Sequence, residues 1–341
     1  MRAIVAERFG GYQNLKLADI PEPTVSNGRI LVRITAAGVT PLDHTILSGG
    51  HPRAKAPLVL GNEGAGAVEA SRDDRFPNGS RVMFTGPYGV SENGAFSEWV
   101  AVKNEHLCLI PDNIDDAAAG VPVAYLTALI TLRAAGFVPG KTVFAPAIGG
   151  SVGNAVTQLA RALGAKHAIS STTSHAKAVE AEKLGFSEVV DLSAEGLTEG
   201  VRRLSDDYGA DIIVDGLGGD VLSEALGVLA RGGSLTTLGY AASRKTTIDV
   251  TNLIWKDASI KSFSLFAQPA SVLEAAWTTI TSFSGRARSN QSSLRPFRWK
   301  VLQRHSGTSL RAAHSDECSS RHSGHTAIVL IQHNQQAWPR Q

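Results

Sequence analysis

The chain has 341 residues, 43% of them apolar and 34 of them glycine, with a formal net charge of +2. That length suits two domains, the composition is that of a soluble globular α/β protein, and no run reaches the ~18 uninterrupted apolar residues of a membrane span. Cys108 and Cys318 are the only cysteines and form no C-x-x-C pair, which fits a reducing compartment and excludes a cysteine-rich zinc lobe.

In chain order, Met1–Gly10 alternates like a strand and carries Glu7 early, so it lacks the apolar region of a secretion signal and a cytoplasmic location is expected. Residues 1–115 hold short alternating strands such as Arg29–Thr35 and Phe96–Val102 between Gly, Pro and Asn turns, which predicts an antiparallel, partly closed β domain. Asp115–Ala135 has helical spacing and links this domain to the next.

The strand Thr142–Ala145 then runs through a glycine turn into a helix over Val152–Leu163. The turn reads Ala147-x-x-Gly150-x-x-Gly153, one glycine short of a dinucleotide fingerprint. Glycines allow close backbone approach to phosphates, and the helix start favours an anion. Taken alone, the turn reads equally as a tight strand-to-helix connection. The repeat that follows carries more weight. Strands are predicted at His167–Ser171, Glu188–Asp191, Asp211–Asp215, Ser234–Leu238 and Ile260–Phe266, with helices at Ala176–Leu184 and Val221–Leu229. Leu163-Gly164-Ala165 and Arg231-Gly232-Gly233 read as helix C-terminal glycines leading back to a strand. This is the pattern of a doubly wound parallel sheet of Rossmann type.

Together with these parts, three motifs resemble the medium-chain dehydrogenase/reductase superfamily, in particular its zinc-independent quinone oxidoreductase-like branch. They are Ala36-Ala37-Gly38-Val39-Thr40-Pro41-Leu42-Asp43, Pro57–Val68 with Gly61-Asn62-Glu63-Gly64-Ala65-Gly66 at its centre, and Gly94-Ala95-Phe96-Ser97-Glu98-Trp99. Tyr125-Leu126-Thr127-Ala128 and Ile212-Ile213-Val214-Asp215 extend the likeness over roughly residues 1–283. The resemblance implies an α/β protein with a GroES-like β domain and a Rossmann sheet. Its expected divisions are a GroES-like domain at 1–118, a Rossmann domain at 119–266, a return segment at 267–285 and an atypical tail at 286–341.

Zinc-dependent members carry Cys and His where this chain has Thr40 and Asn62, so no metal is expected, and Glu63 alone is a poor zinc site. The resemblance then implies hydride delivery from a reduced nicotinamide to a small-molecule quinone or conjugated enone, with no nucleic-acid or membrane partner and with a homodimer as an allowed assembly. Thr40 and Asp43 match positions lining the substrate site, and Thr127 one touching the nicotinamide carboxamide. The family usually has Asn at the place of Thr40, and Asp43 reads equally as a helix cap. Cofactor contacts are expected at Ala147, Gly149, Gly150, Ser151, Val152 and Gly153, and at Gly239 and Tyr240.

The predicted second strand ends without an acid that could hold a ribose 2′-hydroxyl. Ser171, Ser174 and Lys177 follow it instead, similar to the phosphate-binding run of the quinone reductases, which implies NADPH. A solvated loop with Ser174 as helix cap is the plain alternative, and Leu192 stands where the family often stacks a Tyr on adenine.

Residues 286–341 hold nine Lys or Arg against Asp316 and Glu317, a net of +7, which leaves −5 for the rest; five of the ten histidines also lie there. No 3.6 or 2.0 period is visible, and only Thr326–Gln332 resembles the family's closing strand. A disturbed reading frame, a disordered tail and a basic nucleic-acid-binding arm stay open as readings, although no aromatic-interleaved basic pattern favours the last. On any of them the first domain is expected to keep an unpaired sheet edge. Two functional alternatives stay open beside the quinone or enone reductase: an enoyl-thioester reductase, and a non-catalytic nucleotide-binding protein impaired by its altered tail.

Overall fold

A computed structural model describes residues 1–112, 114, 122–285 and 329–332. These fall into two compact units, one formed by the residues up to Pro122 with Val329–Gln332, the other beginning at Val123.

The first unit contains β1 (Arg2–Ala6), β2 (Leu15–Asp19), β3 (Arg29–Val39), α1 (Pro41–Leu47), β4 (Leu58–Val59), β5 (Glu63–Ala70), β6 (Arg81–Thr85), β7 (Trp99–Lys103) and β8 (Leu107–Leu109). Alternation along β3 buries Ile30, Val32 and Ile34 and leaves Arg29, Leu31 and Arg33 half-buried, the signature of a sheet with one packed face. The strands order as β2-β1-β4 and β15-β3-β5-β6-β8, where β15 is Val329–Gln332 and β7 also pairs with β3. Antiparallel pairing joins β3 to β5 and β7, and β6 to β5 and β8.

One expectation for this unit is corrected. The edge of β3 is not left open, because Val329–Gln332 lies parallel to Ala36–Val39, beyond the stretch Arg29–Arg33 that β7 covers. Four residues of the otherwise aperiodic tail supply the missing ladder. The remaining tail residues, and the predicted helical stretch before Pro122, lie outside the described residues.

The second unit contains α2 (Pro122–Ala134), β9 (Thr142–Ala145), α3 (Ser151–Ala162), β10 (His167–Thr172), α4 (His175–Lys183), β11 (Val189–Asp191), α5 (Leu197–Leu204) and β12 (Ala210–Asp215). It continues with α6 (Gly219–Gly227), β13 (Leu229–Thr237), α7 (Thr251–Ile254), β14 (Ser259–Ser262) and α8 (Ala270–Gly285). Its six strands are parallel in the order β11-β10-β9-β12-β13-β14. β12 is buried along its whole length, as expected where helices cover both sheet faces. The strand order reverses between β9 and β12, the switch point at which doubly wound sheets bind ligands beyond their strand ends.

Three local readings change. Arg231-Gly232-Gly233 is not a helix end, since the chain re-enters the sheet at Leu229 and Gly232, at φ 73°, sits in an irregularity of β13 where the register with β12 shifts. The last strand stops at Ser262 and gives way to a short 3₁₀ turn at Leu265–Ala267. Residues 267–285 do not leave this unit: α8 buries Trp277 and Ile280, and Arg133 of α2 donates to Thr279 Oγ1 at 2.6 Å. No described helix is long and apolar enough to cross a membrane.

Candidate functional site

In the second unit, β9 delivers the chain into the turn Pro146–Gly150, and α3 starts at Ser151 with Gly150 as its N-cap residue, so no side chain caps the helix. Ala147 occupies the left-handed region at φ 66°, a conformation an alanine holds only when its surroundings enforce it. Two bonds from the second strand do so: Ile148 N donates to Ser171 O at 2.8 Å and Ala147 N to Ser171 Oγ at 3.4 Å. Ser171 is 2% exposed, so its hydroxyl shapes the turn.

Each glycine of the turn has its own reason. A Cβ on Gly153 would lie 2.6 Å from Ala147 O and closer still to Pro146 O, so α3 can pack against the turn only with glycine there. Gly149 faces the side chain of Lys177, whose Cδ and Nζ would stand 3.6 and 3.9 Å from such a Cβ. The α4 lysine thus lies against the glycine turn, beside an uncapped helix start. The turn thus combines bare backbone, a positive dipole end and a cation, features that suit an anion.

A buried polar chain not foreseen from the sequence supports it. Asn154 Nδ2 donates to Ile148 O at 3.4 Å, Gln158 Nε2 to Asn154 Oδ1 at 2.5 Å and to Tyr125 OH at 3.2 Å, tying turn, α3 and α2 together. Burial raises the pKa of Tyr125, keeping it a neutral phenol. The available signal was two polar side chains spaced four residues apart on an otherwise apolar helix face. Thr127 lies two residues on from Tyr125 and is buried.

At the far end of β10 the structure amends one reading. An acid does reach that strand end, because parallel pairing sets Asp191 of β11 opposite Thr172. Its carboxylate accepts from Ser193 N at 3.0 Å, from Ser193 Oγ at 2.5 Å and from His175 Nδ1 at 2.7 Å, contacts that lower its pKa. Ser174 is the N-cap residue of α4 by position, without a side-chain capping bond. Beyond β13, Gly239 packs against Gly216, whose O would meet a Cβ at 2.5 Å, and Tyr240 lies beneath the Arg244 guanidinium, 5.1 Å from the ring centre.

In the first unit, Thr40 and Asp43 form a reciprocal capping box at the start of α1. Thr40 N donates to Asp43 Oδ2 at 2.7 Å, and Asp43 N to Thr40 Oγ1 at 3.4 Å. The Thr40 hydroxyl lies 2.8 Å from Asp43 Oδ2 and 3.2 Å from Asn62 Oδ1, while Gly61 N donates to Asp43 Oδ1 at 2.9 Å. Asp43 is 4% exposed, and burial raises its pKa against the bonds from Thr40 and Gly61. Of the two readings of Asp43, the geometry is that of a cap. Glu63 is buried with its carboxylate against the Cα of Gly38. Among the described residues, no three His, Cys, Asp or Glu side chains are grouped to hold a metal ion.

Residues 26–112 match the model of the alcohol dehydrogenase GroES-like domain, and residues 151–282 that of the zinc-binding dehydrogenases. A quinone oxidoreductase of Pseudomonas aeruginosa is 33% identical over 247 residues, 71% of this chain and 74% of the relative. The chain belongs to the quinone oxidoreductase-like branch of the medium-chain dehydrogenase/reductase superfamily. As a member it is an oxidoreductase. An NADPH-dependent alkenal/one oxidoreductase of Arabidopsis thaliana chloroplasts is 30% identical over 256 residues, 71% of this chain and 64% of that protein. Among solved structures, the quinone oxidoreductase of Thermus thermophilus, also known in complex with NADPH, superposes with a TM-score of 0.71 at 28% identity, covering 84% of this chain and 88% of its own.

Proposed function

We propose that this quinone oxidoreductase-like protein is an NADPH-dependent, zinc-free reductase that passes hydride to a quinone or a conjugated enone. The observation carrying the proposal is the Thr40–Asn62 contact. Where zinc-dependent relatives need a thiolate and an imidazole, this chain has two neutral side chains hydrogen-bonded to each other. An acceptor that delocalises negative charge needs no Lewis acid; quinones and enones are such acceptors.

The residues fit the dinucleotide. Gly149, Gly150 and the amides of Ser151 and Val152 suit the diphosphate, and Lys177, with Ser174 before it in the run after the second strand, suits the 2′-phosphate of NADPH. Thr127 is assigned to the carboxamide, and Gly239 and Tyr240 to the strand ends beyond. The bound coenzyme supplies the hydride; the protein's part is to bind, orient and keep the acceptor close. Thr40 is assigned to the acceptor, with Asp43 holding it in place. The same reading includes a cytoplasmic enzyme and a homodimer, for which sedimentation equilibrium is the direct measurement.

A steady-state panel pairing NADPH and NADH with a quinone, an enone and an enoyl thioester, each with and without o-phenanthroline, tests this. Turnover of quinone or enone with NADPH, insensitive to chelator, is expected. Preference for the thioester would make the chain an enoyl-thioester reductase, tight coenzyme binding without turnover would make it a non-catalytic nucleotide binder, and loss of turnover on zinc removal would overturn the metal-free mechanism.

A further inference from the structure

In the first unit, the chain leaving β6 supports the backbone of Asn62, whose carbonyl accepts from Thr85 Oγ1 at 2.9 Å and from Gly86 N at 3.3 Å. Residues 86–92 then fold back on themselves, with Gly89 N donating to Glu92 O at 2.7 Å. Glu92 fastens the far end of this loop by pairing with Arg29 of β3 at 2.7 Å. The near end is held by Tyr88, which is fully buried and stands edge-on to Phe84 and to His106, with ring centres 5.5 and 5.6 Å apart. His106 ends the short 3₁₀ turn Asn104–His106 that follows β7.

We propose that His106 and Tyr88 form an acid-sensitive latch on residues 86–92: the neutral imidazole holds the loop, and its protonation releases the loop and the Asn62 backbone behind it. Proton counting carries the argument. The Tyr88 hydroxyl accepts from Lys103 N at 2.8 Å, so its own proton goes to His106 Nδ1, also at 2.8 Å. That bond needs Nδ1 bare and the ring proton on Nε2, which lies 3.9 Å from Glu105 Oε1. A proton added at Nδ1 turns an acceptor into a second donor and leaves the phenolic proton without its acceptor in a closed site. The ring has no room to turn aside, because it lies against the backbone of Gly86, where a Cβ would stand 2.6 Å from Nδ1. Burial is the leading cause that holds the His106 pKa below its ordinary 6.5; Lys103 and Arg29 lower it further, while Glu105 and Glu92 oppose them. A folded-state pKa below the unfolded one means that the latch stabilises fully above the ordinary range and loses that contribution as the pH falls beneath it. The Arg29–Glu92 pair at the other end keeps both charges there, so His106 is the end that responds.

The test uses the full chain as wild type, His106→Asn and Tyr88→Phe. His106→Asn offers Tyr88 an amide oxygen near the place of Nδ1 and cannot titrate. Between about pH 7.5 and about pH 5.5, the melting temperature of wild type should therefore fall at least about 3 °C further than that of His106→Asn. Tyr88→Phe should melt below wild type at both pH values, since the Lys103 amide loses its acceptor. Nitrogen-15 spectra of the histidine rings, with the His106 signals identified by their change in Tyr88→Phe, should show the proton on Nε2 at the higher pH. An equal acid loss in wild type and His106→Asn, or a His106 proton on Nδ1 at the higher pH, overturns the latch. In turnover, the acceptor KM of wild type should rise at least about threefold over the same interval and that of His106→Asn less than about twofold. Equal changes overturn the link to Asn62. This last arm alone rests on the reductase reading: a chain without turnover removes that reading, while the melts and spectra still decide the latch.

Discussion

The carboxylate of Asp43 accepts a hydrogen bond from the amide of Gly61 at 2.9 Å, across eighteen residues of sequence and inside the first unit's core. The same side chain closes the capping box of α1, so a residue with the appearance of a catalytic acid holds two segments together. Asp43→Ala should destabilise the first unit by about 2–4 kcal/mol, combining a lost cap with a buried amide left without an acceptor. Urea unfolding measures this. Asp43→Asn should be milder but still destabilising, because an amide cannot accept from both Gly61 and Thr40. A variant as stable as wild type would return Asp43 to the list of groups kept for chemistry.

Gly153→Val should weaken NADPH binding at least tenfold, about 1.4 kcal/mol. The carbonyl oxygens of Pro146 and Ala147 are the atoms a side chain would strike, and backbone cannot swing aside. Relief requires α3 to move off the turn, which spoils the turn's shape. Coenzyme fluorescence titration, with a melt to show that the fold survives, decides this, and unchanged affinity would remove the glycine turn from the cofactor site.

Ala147→Gly should stabilise the chain by about 1 kcal/mol, because glycine holds φ 66° without the left-handed penalty that alanine bears. Thermal unfolding is the measurement. The bonds to Ser171 should keep the turn in shape, so NADPH affinity should stay within about twofold, equivalent to roughly 0.4 kcal/mol.

A chain ending at Gly285 should be less soluble than the full chain. It lacks Val329–Gln332, leaving Ala36–Val39 of β3 as an open ladder next to the start of α1. Light scattering and sedimentation should show association of the truncated chain at concentrations where the full chain stays dispersed. Equal behaviour would mean that β15 is dispensable to the sheet.

Period and turn chemistry determined much of this protein. The alternation along Arg29–Thr35, the apolar strands of the second unit and the glycine-to-helix transition at Gly150 are local, so they were readable without a fold. So was the absence of thiol and imidazole at Thr40 and Asn62, which is a matter of residue type alone. Arg231-Gly232-Gly233 misled because a glycine pair marks a helix end and a strand irregularity equally well. The helix Leu197–Leu204 is hard to read because Gly196 precedes it and Gly200 interrupts its run of helix formers.

What only the tertiary structure decided are meetings between residues far apart in the chain. Register in the parallel sheet sets Asp191 beside Thr172, and α4 carries Lys177 back over Gly149. The fold of the first unit brings Gly61 to Asp43 and the strand at Val329 to Ala36. Such contacts depend on strand order and on the direction in which a side chain leaves its helix, neither of which has a local period in the sequence. The sequence by itself therefore marked the glycine turn and the strand–helix repeat around it, whereas the pairing of His175 with Asp191 followed from how β10 and β11 lie side by side.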